Sequence, residues 1–132
     1  MNRRALLRRT MPLGVALLGG GALLAACREQ PVHMVSGRPF IGRGGFSERR
    51  RIILNAAATQ GWTTRDVQPG VIEARRSDGS HLVVVTIHFT QSNFSFRHVT
   101  ASPNLRYDGA QAHALYNRWV SGLETAIVNQ SA

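Results

Sequence analysis

Residues 46–132 predict an α+β fold: a helix, a four-stranded antiparallel meander and a C-terminal helix, with both helices packed on one face of the sheet. Three observations carry this expectation. Asp78-Gly79, flanked by Ser77 and Ser80, is a two-residue hairpin signal. Taken as the turn pair, it sets Ala74 against Val83 and Ile72 against Val85, and it puts Ile72, Ala74, Val83, Val85, Ile87 and Phe89 on one side. A second reversal near Gln91-Ser92 brings Phe94 and Phe96 opposite Phe89 and Ile87 on that same side. The two hairpins agree in parity, and a one-residue slip in either would reverse the faces. Finally, Ala112, Leu115, Tyr116, Trp119, Val120, Leu123 and Ile127 recur at helical spacing as a single wide stripe. One stripe asks for one apolar sheet face to cover.

Taken in order, residues 27–45 show neither helical nor strand periodicity. Pro31, Gly37, Pro39, Gly42, Gly44 and Gly45 interrupt any regular element, so the stretch reads as a tether. From Arg28 to Gly45 it is 18 residues, about 60 Å when fully extended. Phe40 and Ile41 are too apolar for pure linker and are expected to tuck against the domain; the outer sheet face is either covered by them or left open for a partner. Ser47 is placed to cap a helix, with Glu48 in the first turn where the dipole favours an acid. Ile53, Ala56 and Ala57 form its apolar face, and Gly61 stops it. Arg49, Arg50 and Arg51 read as solvated charge. The first strand runs from about Trp62 to Val67, and Pro69-Gly70 turns it into the second. Ser102-Pro103-Asn104 ends the sheet. The last helix is expected from about Gln111 to Asn129, capped by Asp108 or Gly109, with Asp108 and Gln111 at capping-box spacing.

Ahead of the domain, Arg3, Arg4, Arg8 and Arg9 come with no acid, and Met11 to Ala26 carries no charge. A basic start, a short apolar middle and a small-residue exit are the three parts of a secretory signal. A permanent span needs about 20 strongly apolar residues. This run is 16 residues with four Gly and one Pro, so it reads as a signal peptide over residues 1–26. Leu24-Ala25-Ala26-Cys27 resembles the lipobox of bacterial lipoprotein signal peptides. The resemblance implies that the Cys27 thiol is linked to diacylglycerol and that cleavage falls between Ala26 and Cys27. Cys27 then becomes the lipid-bearing N-terminus of an exported protein, and residues 27–45 its lipidated tether. Arg8-Arg9-Thr10-Met11-Pro12-Leu13 loosely resembles a twin-arginine signal, which would mean export in the folded state; general secretion is the other route. In many Gram-negative bacteria an Asp after the lipidated Cys retains a lipoprotein in the inner membrane. Arg28 with Glu29 departs from that pattern, so the implied location is the periplasmic face of the outer membrane. Asn104-Leu105-Arg106-Tyr107 and Tyr116-Asn117-Arg118-Trp119-Val120 resemble small exported bacterial lipoproteins with no assigned activity, which implies no mechanism.

The part from Cys27 onward is 106 residues, enough for one small core without staples. With Cys27 the sole cysteine and lipidated, an internal disulfide, a thiol nucleophile and a thiolate ligand are all excluded. The net charge is +9, and +5 once the four signal arginines are removed; there is no Lys. Such a surface suits anionic partners in principle. No RNA-binding signature accompanies it, and nucleic acid is not an expected partner of an exported lipoprotein.

His81, His88 and His98 fall on strands but do not converge in the expected pairing, and no acid neighbours them, so no metal site is expected. The seven acids are scattered, with Asp66, Glu73 and Asp78 on strands or a turn and no catalytic pair among them, and no nucleophile elbow or phosphate loop is present. Gly42-Arg43-Gly44-Gly45 precedes a helix, where an anion site is conceivable, but it lacks the P-loop pattern and reads as a hinge. No cofactor and no catalytic residue are expected. The outer sheet face, with Leu82, Val84, His88 and Arg97 foremost, holds more aliphatic side chains than solvent requires and is the candidate partner surface. The expected function is a lipid-anchored, non-catalytic binding or scaffolding module, meeting membrane lipid through its anchor and another envelope protein through this face. A periplasmic ligand- or metal-binding lipoprotein is the alternative, and an enzyme comes third.

Overall fold

The computed structural model describes residues 29–132. The expected signal peptide, the lipobox and Cys27 lie outside the described residues. Within them a five-stranded antiparallel sheet carries two helices, and a two-stranded ribbon stands beside it. The meander is β3 (Thr63–Gln68), β4 (Val71–Asp78), β5 (His81–Phe89) and β6 (Asn93–Ala101), as expected from the turn chemistry. Helix α1 (Phe46–Thr59) precedes it and α2 (Ala114–Gln130) follows. Ile53, Ala56 and Ala57 of α1 and Tyr116, Trp119, Val120, Leu123 and Ile127 of α2 share one core with the inner sheet residues Ile72, Ala74, Val83, Val85, Ile87 and Phe94. The fold is α+β with both helices over the same sheet face.

The second hairpin follows the expected register, with Phe89 opposite Phe94 and Ile87 opposite Phe96. The first is shifted by two residues: Ala74 faces Val85, Ile72 faces Ile87, and Asp78 faces His81. The loop is therefore Gly79-Ser80, with Gly79 at φ +59 and no positive φ at Asp78 or Ser80. That is the type II′ pattern, in which only the first central residue is left-handed. A two-residue shift keeps side-chain parity, so the inner face is unchanged.

The larger correction concerns residues 29–45. They are a structural strap, and the tether reading fails from Glu29 onward. β1 (Glu29–Pro31) pairs with β7 (Gln111–His113), and β2 (Arg38–Pro39) pairs with the free edge of β6. Between them Phe96 N–H donates to Val35 O at 3.0 Å and Val32 N–H donates to Ala110 O at 2.9 Å. Val35 and Phe40 are buried in the core. The prolines and glycines that spoil periodicity do not prevent pairing, because an edge strand needs only every other backbone group. At the end of the strap Gly42 lies directly beneath Ser131 O, to which its N–H donates at 2.8 Å, so a Cβ there would collide with backbone.

Both helix starts also differ from expectation. Helix α1 begins at Phe46 with Gly45 as N-cap and no side-chain cap bond; Ser47 is already helical. Phe46 stacks on Phe89 at 4.9 Å, which draws the first turn one residue back. Helix α2 begins only at Ala114, because residues 111–113 pair with β1. His113 Nδ1 accepts from Leu115 N–H as the cap, while the Asp108 carboxylate accepts from the Ala110 and Gln111 amides in the preceding turn. Arg49 is the third departure: it is buried, not solvated. Its guanidinium donates to Gln91 O at 3.0 Å and to Gly42 O, and lies 4.5 Å from the Phe40 ring centre. It thereby ties α1, the β5–β6 turn and the strap together.

Candidate functional site

Alternation along β5 sends Val83, Val85, Ile87 and Phe89 into the core and Leu82, Val84, Thr86 and His88 to the opposite face. On β6, Arg97 stands beside Thr86 and Ser95 beside His88. The structure therefore brings Leu82, Val84, His88 and Arg97 onto one face, the one without helices. Their accessibility differs. Val84 is only 1% exposed, Leu82 and His88 are half-buried, and Arg97 is exposed. Val84 and Val71 are buried but lie outside the main core cluster. A bulge opposite Val84 and Val85 leaves Val99 unpaired and 52% exposed. Of the two readings of this face, covered by Phe40 and Ile41 or left open, the structure shows the second. Phe40 packs on Phe94 at 5.2 Å in the core, and the Ile41 N–H donates to Ser131 Oγ at 2.9 Å, at the end of α2.

The charges on this face are uneven. Glu73 pairs with Arg65 across the β3–β4 ladder. Arg75 and Arg97 make no ion pair among the described residues. His88 exchanges a hydrogen bond with Thr86 Oγ1 at 3.0 Å. Burial, with the nearby Arg97 charge, pushes its pKa below the usual histidine value, so it stays neutral at neutral pH. The result is a shallow surface of aliphatic side chains edged by arginines.

A second cluster lies at the inner side of β6. His98 stacks on Tyr107 with ring centres 3.5 Å apart, and His98 Nδ1 is 3.0 Å from the Tyr116 hydroxyl. These rings, with Val32, Val35 and Val85, line a cavity of about 50 Å³, room for little more than a water molecule. Burial lowers the His98 pKa and raises that of Tyr116, the latter helped by Tyr107. Both groups are held neutral, which suits a packed hydrogen-bonded pair rather than a proton-transfer site.

That arrangement sets a pH dependence. A histidine whose folded pKa is lowered contributes full stability above the unfolded value of about 6.5, and stability falls as pH drops through that value toward the lowered one. Unfolding free energy should therefore decline as pH falls below about 6.5, the unfolded histidine value. Chemical denaturation of His98→Phe across this range should give a shallower decline; an unchanged slope would show that His98 does not supply it.

The three strand histidines stay apart. His88 is on the outer face, His98 is between the tyrosines, and His81 lies edge-on to Trp119 at 6.5 Å. Among the described residues no three metal-ligating side chains gather. Polar contacts that were not anticipated include the buried Arg49, His33 Nε2 against Glu124 at 2.6 Å where the strap crosses α2, and the pairing of Asp66 with Arg50 and of Glu73 with Arg65. Arg49 carried a signal, since with Ile53, Ala56 and Ala57 it completes the spacing i, i+4, i+7, i+8. The chain matches no protein-family model, no curated protein and no solved structure.

Proposed function

We propose that this chain is a lipid-anchored envelope protein that acts by binding, without chemistry of its own, at the periplasmic face of the outer membrane. The observation that carries the binding role is the outer sheet face: neither helix packs on it, and it leaves Leu82 half-exposed and Val99 exposed on strands whose neighbouring positions carry Arg75 and Arg97, unpaired among the described residues. An aliphatic surface edged by cations fits another envelope protein that presents an acidic rim around an apolar centre. The Leu24-Ala25-Ala26-Cys27 motif supports the anchor. Several acyl chains on one residue hold far better than one, at about 0.8 kcal/mol per buried CH₂.

The test has two arms. Cells given radioactive fatty acid should label the natural chain and not Cys27→Ser, and the labelled protein should band with outer membrane on a density gradient. Equal label in the variant ends the lipoprotein reading; recovery with inner membrane ends the outer-membrane assignment, which Arg28→Asp should reverse. In vivo cross-linking from the outer face should then capture a protein, and Arg97→Glu with Val99→Asp should release it. Capture unaffected by these changes would remove the face from the proposal.

A further inference from the structure

We infer that the β1–β7 pole is the side of the domain seated on the bilayer, an assignment that rests on the lipid-anchor reading above. The argument is one of reach. Cys27 precedes Glu29, the first residue of β1, by two peptide units, so its Cα lies within about 7.6 Å of the Glu29 Cα whatever its conformation. The expected length of 18 residues between anchor and fold is replaced by the single residue Arg28.

β1 has no slack to give back. All three of its residues pair with β7. Val32 N–H donates to Ala110 O at 2.9 Å, Asn117 Nδ2 donates to Pro31 O at 2.8 Å, and Asn117 Oδ1 accepts from His33 N–H at 2.8 Å. Three residues on, Val35 is in the core. Freeing the N-terminal end far enough to lift the domain would break this ladder and uncover apolar surface. A lipid at Cys27 therefore brings to the headgroups whatever surrounds Glu29.

That surrounding is the exposed turn from Arg106 to Gln111, with Arg106 3.5 Å from Glu29. Beside it runs a groove of about 500 Å³ between β1 and α2, lined mostly by polar side chains including Gln30, His33, Asn117 and Arg118, with exposed Met34 at its margin. Charge is mixed here among the described residues: Arg106 and Arg118 accompany Glu29 and Asp108. The seating thus follows from the short connection rather than from attraction to anionic lipid, and holds on an uncharged bilayer. It also means that any partner of the outer sheet face must itself lie close to the membrane.

The opposite reference point is β3, three strands from β6 in the sheet, whereas the strap and Tyr107 place the β1–β7 ribbon on the β6 side. The mature lipoprotein, whose own thiol is blocked by lipid, can carry one new cysteine at Ala110 or at Met34 near the pole, or at Gln68 on β3. Each is labelled with a fluorophore and reconstituted in phosphatidylcholine vesicles containing a headgroup-region quencher lipid. Quenching at residue 110 and at residue 34 should exceed that at residue 68 by roughly threefold, given about 4.8 Å per intervening strand. Insertion of about ten Gly/Ser residues between Arg28 and Glu29 should erase the difference, because such a linker is flexible. Equal quenching at all sites, with mass spectrometry showing lipid on Cys27, overturns the seating and leaves the anchor intact. Absence of lipid on Cys27 overturns both.

Discussion

A chain beginning at Phe46, the domain boundary that composition suggests, should be less stable than one beginning at Glu29 by at least about 3–6 kcal/mol. The estimate takes Val35 and Phe40, both buried in the core, at about 1.5–3 kcal/mol each for removal from water. The full loss exceeds this, because Arg49 would also be left beneath a missing Gly42 carbonyl. Small domains hold only about 5–15 kcal/mol in total, so the shorter chain should bind hydrophobic dyes and melt without a sharp transition. Guanidinium unfolding of the two chains, 29–132 and 46–132, makes the comparison. Matching midpoints would show that the strap merely rests on the fold.

Phe94→Ala should cost about 3–5 kcal/mol, the usual range for emptying a buried aromatic site. Phe94 is fully buried, within 5.2 Å of the Phe40 ring centre and 5.6 Å of that of Phe96, and directly across the ladder from Phe89. It is the point where the meander, through Phe89, meets the strap, through Phe40. The cavity left by Ala is bounded by a sheet that cannot close over it. The effect should appear in urea unfolding as a lower midpoint with little change in slope, and Phe94→Leu should recover much of it. Because Phe94 and Phe40 touch, Phe94→Ala combined with Phe40→Ala should cost less than the two separate losses together. Additivity would mean that the two rings do not share one packing site.

The meander and its inner face were legible because they depend on short-range facts. Asp78-Gly79 and Pro69-Gly70 mark reversals by local backbone preference, and alternation along β5 then assigns Val83, Val85, Ile87 and Phe89 to one side whichever even register is chosen. The stripe on α2 works the same way, since Tyr116, Trp119, Val120, Leu123 and Ile127 repeat at the period of the helix itself. The outer-face residues Leu82, Val84, His88 and Arg97 follow by default from the inner ones. Their shared face was therefore readable, but the burial of Val84 was not, because shielding comes from neighbours on other strands.

The strap is where sequence alone could not decide. Residues 29–41 carry no periodicity because their order comes from partners 55 to 90 positions away: Phe94 and Ser95 on β6, Gln111 to His113 on β7, and Ser131 beyond α2. A segment that borrows its hydrogen bonds from distant edges needs no pattern of its own and looks like linker. The same distance effect moved the start of α2 from Gln111 to Ala114, since β7 exists only because β1 is there to pair with it. It also buried Arg49, whose partners Gly42 and Gln91 belong to two separate loops. Turn chemistry and periodicity determined the sheet, its parity and the helices that cover it. Only the tertiary structure decided that residues 29–45, ahead of the first helix, are part of the fold, because long-range pairing leaves no local trace.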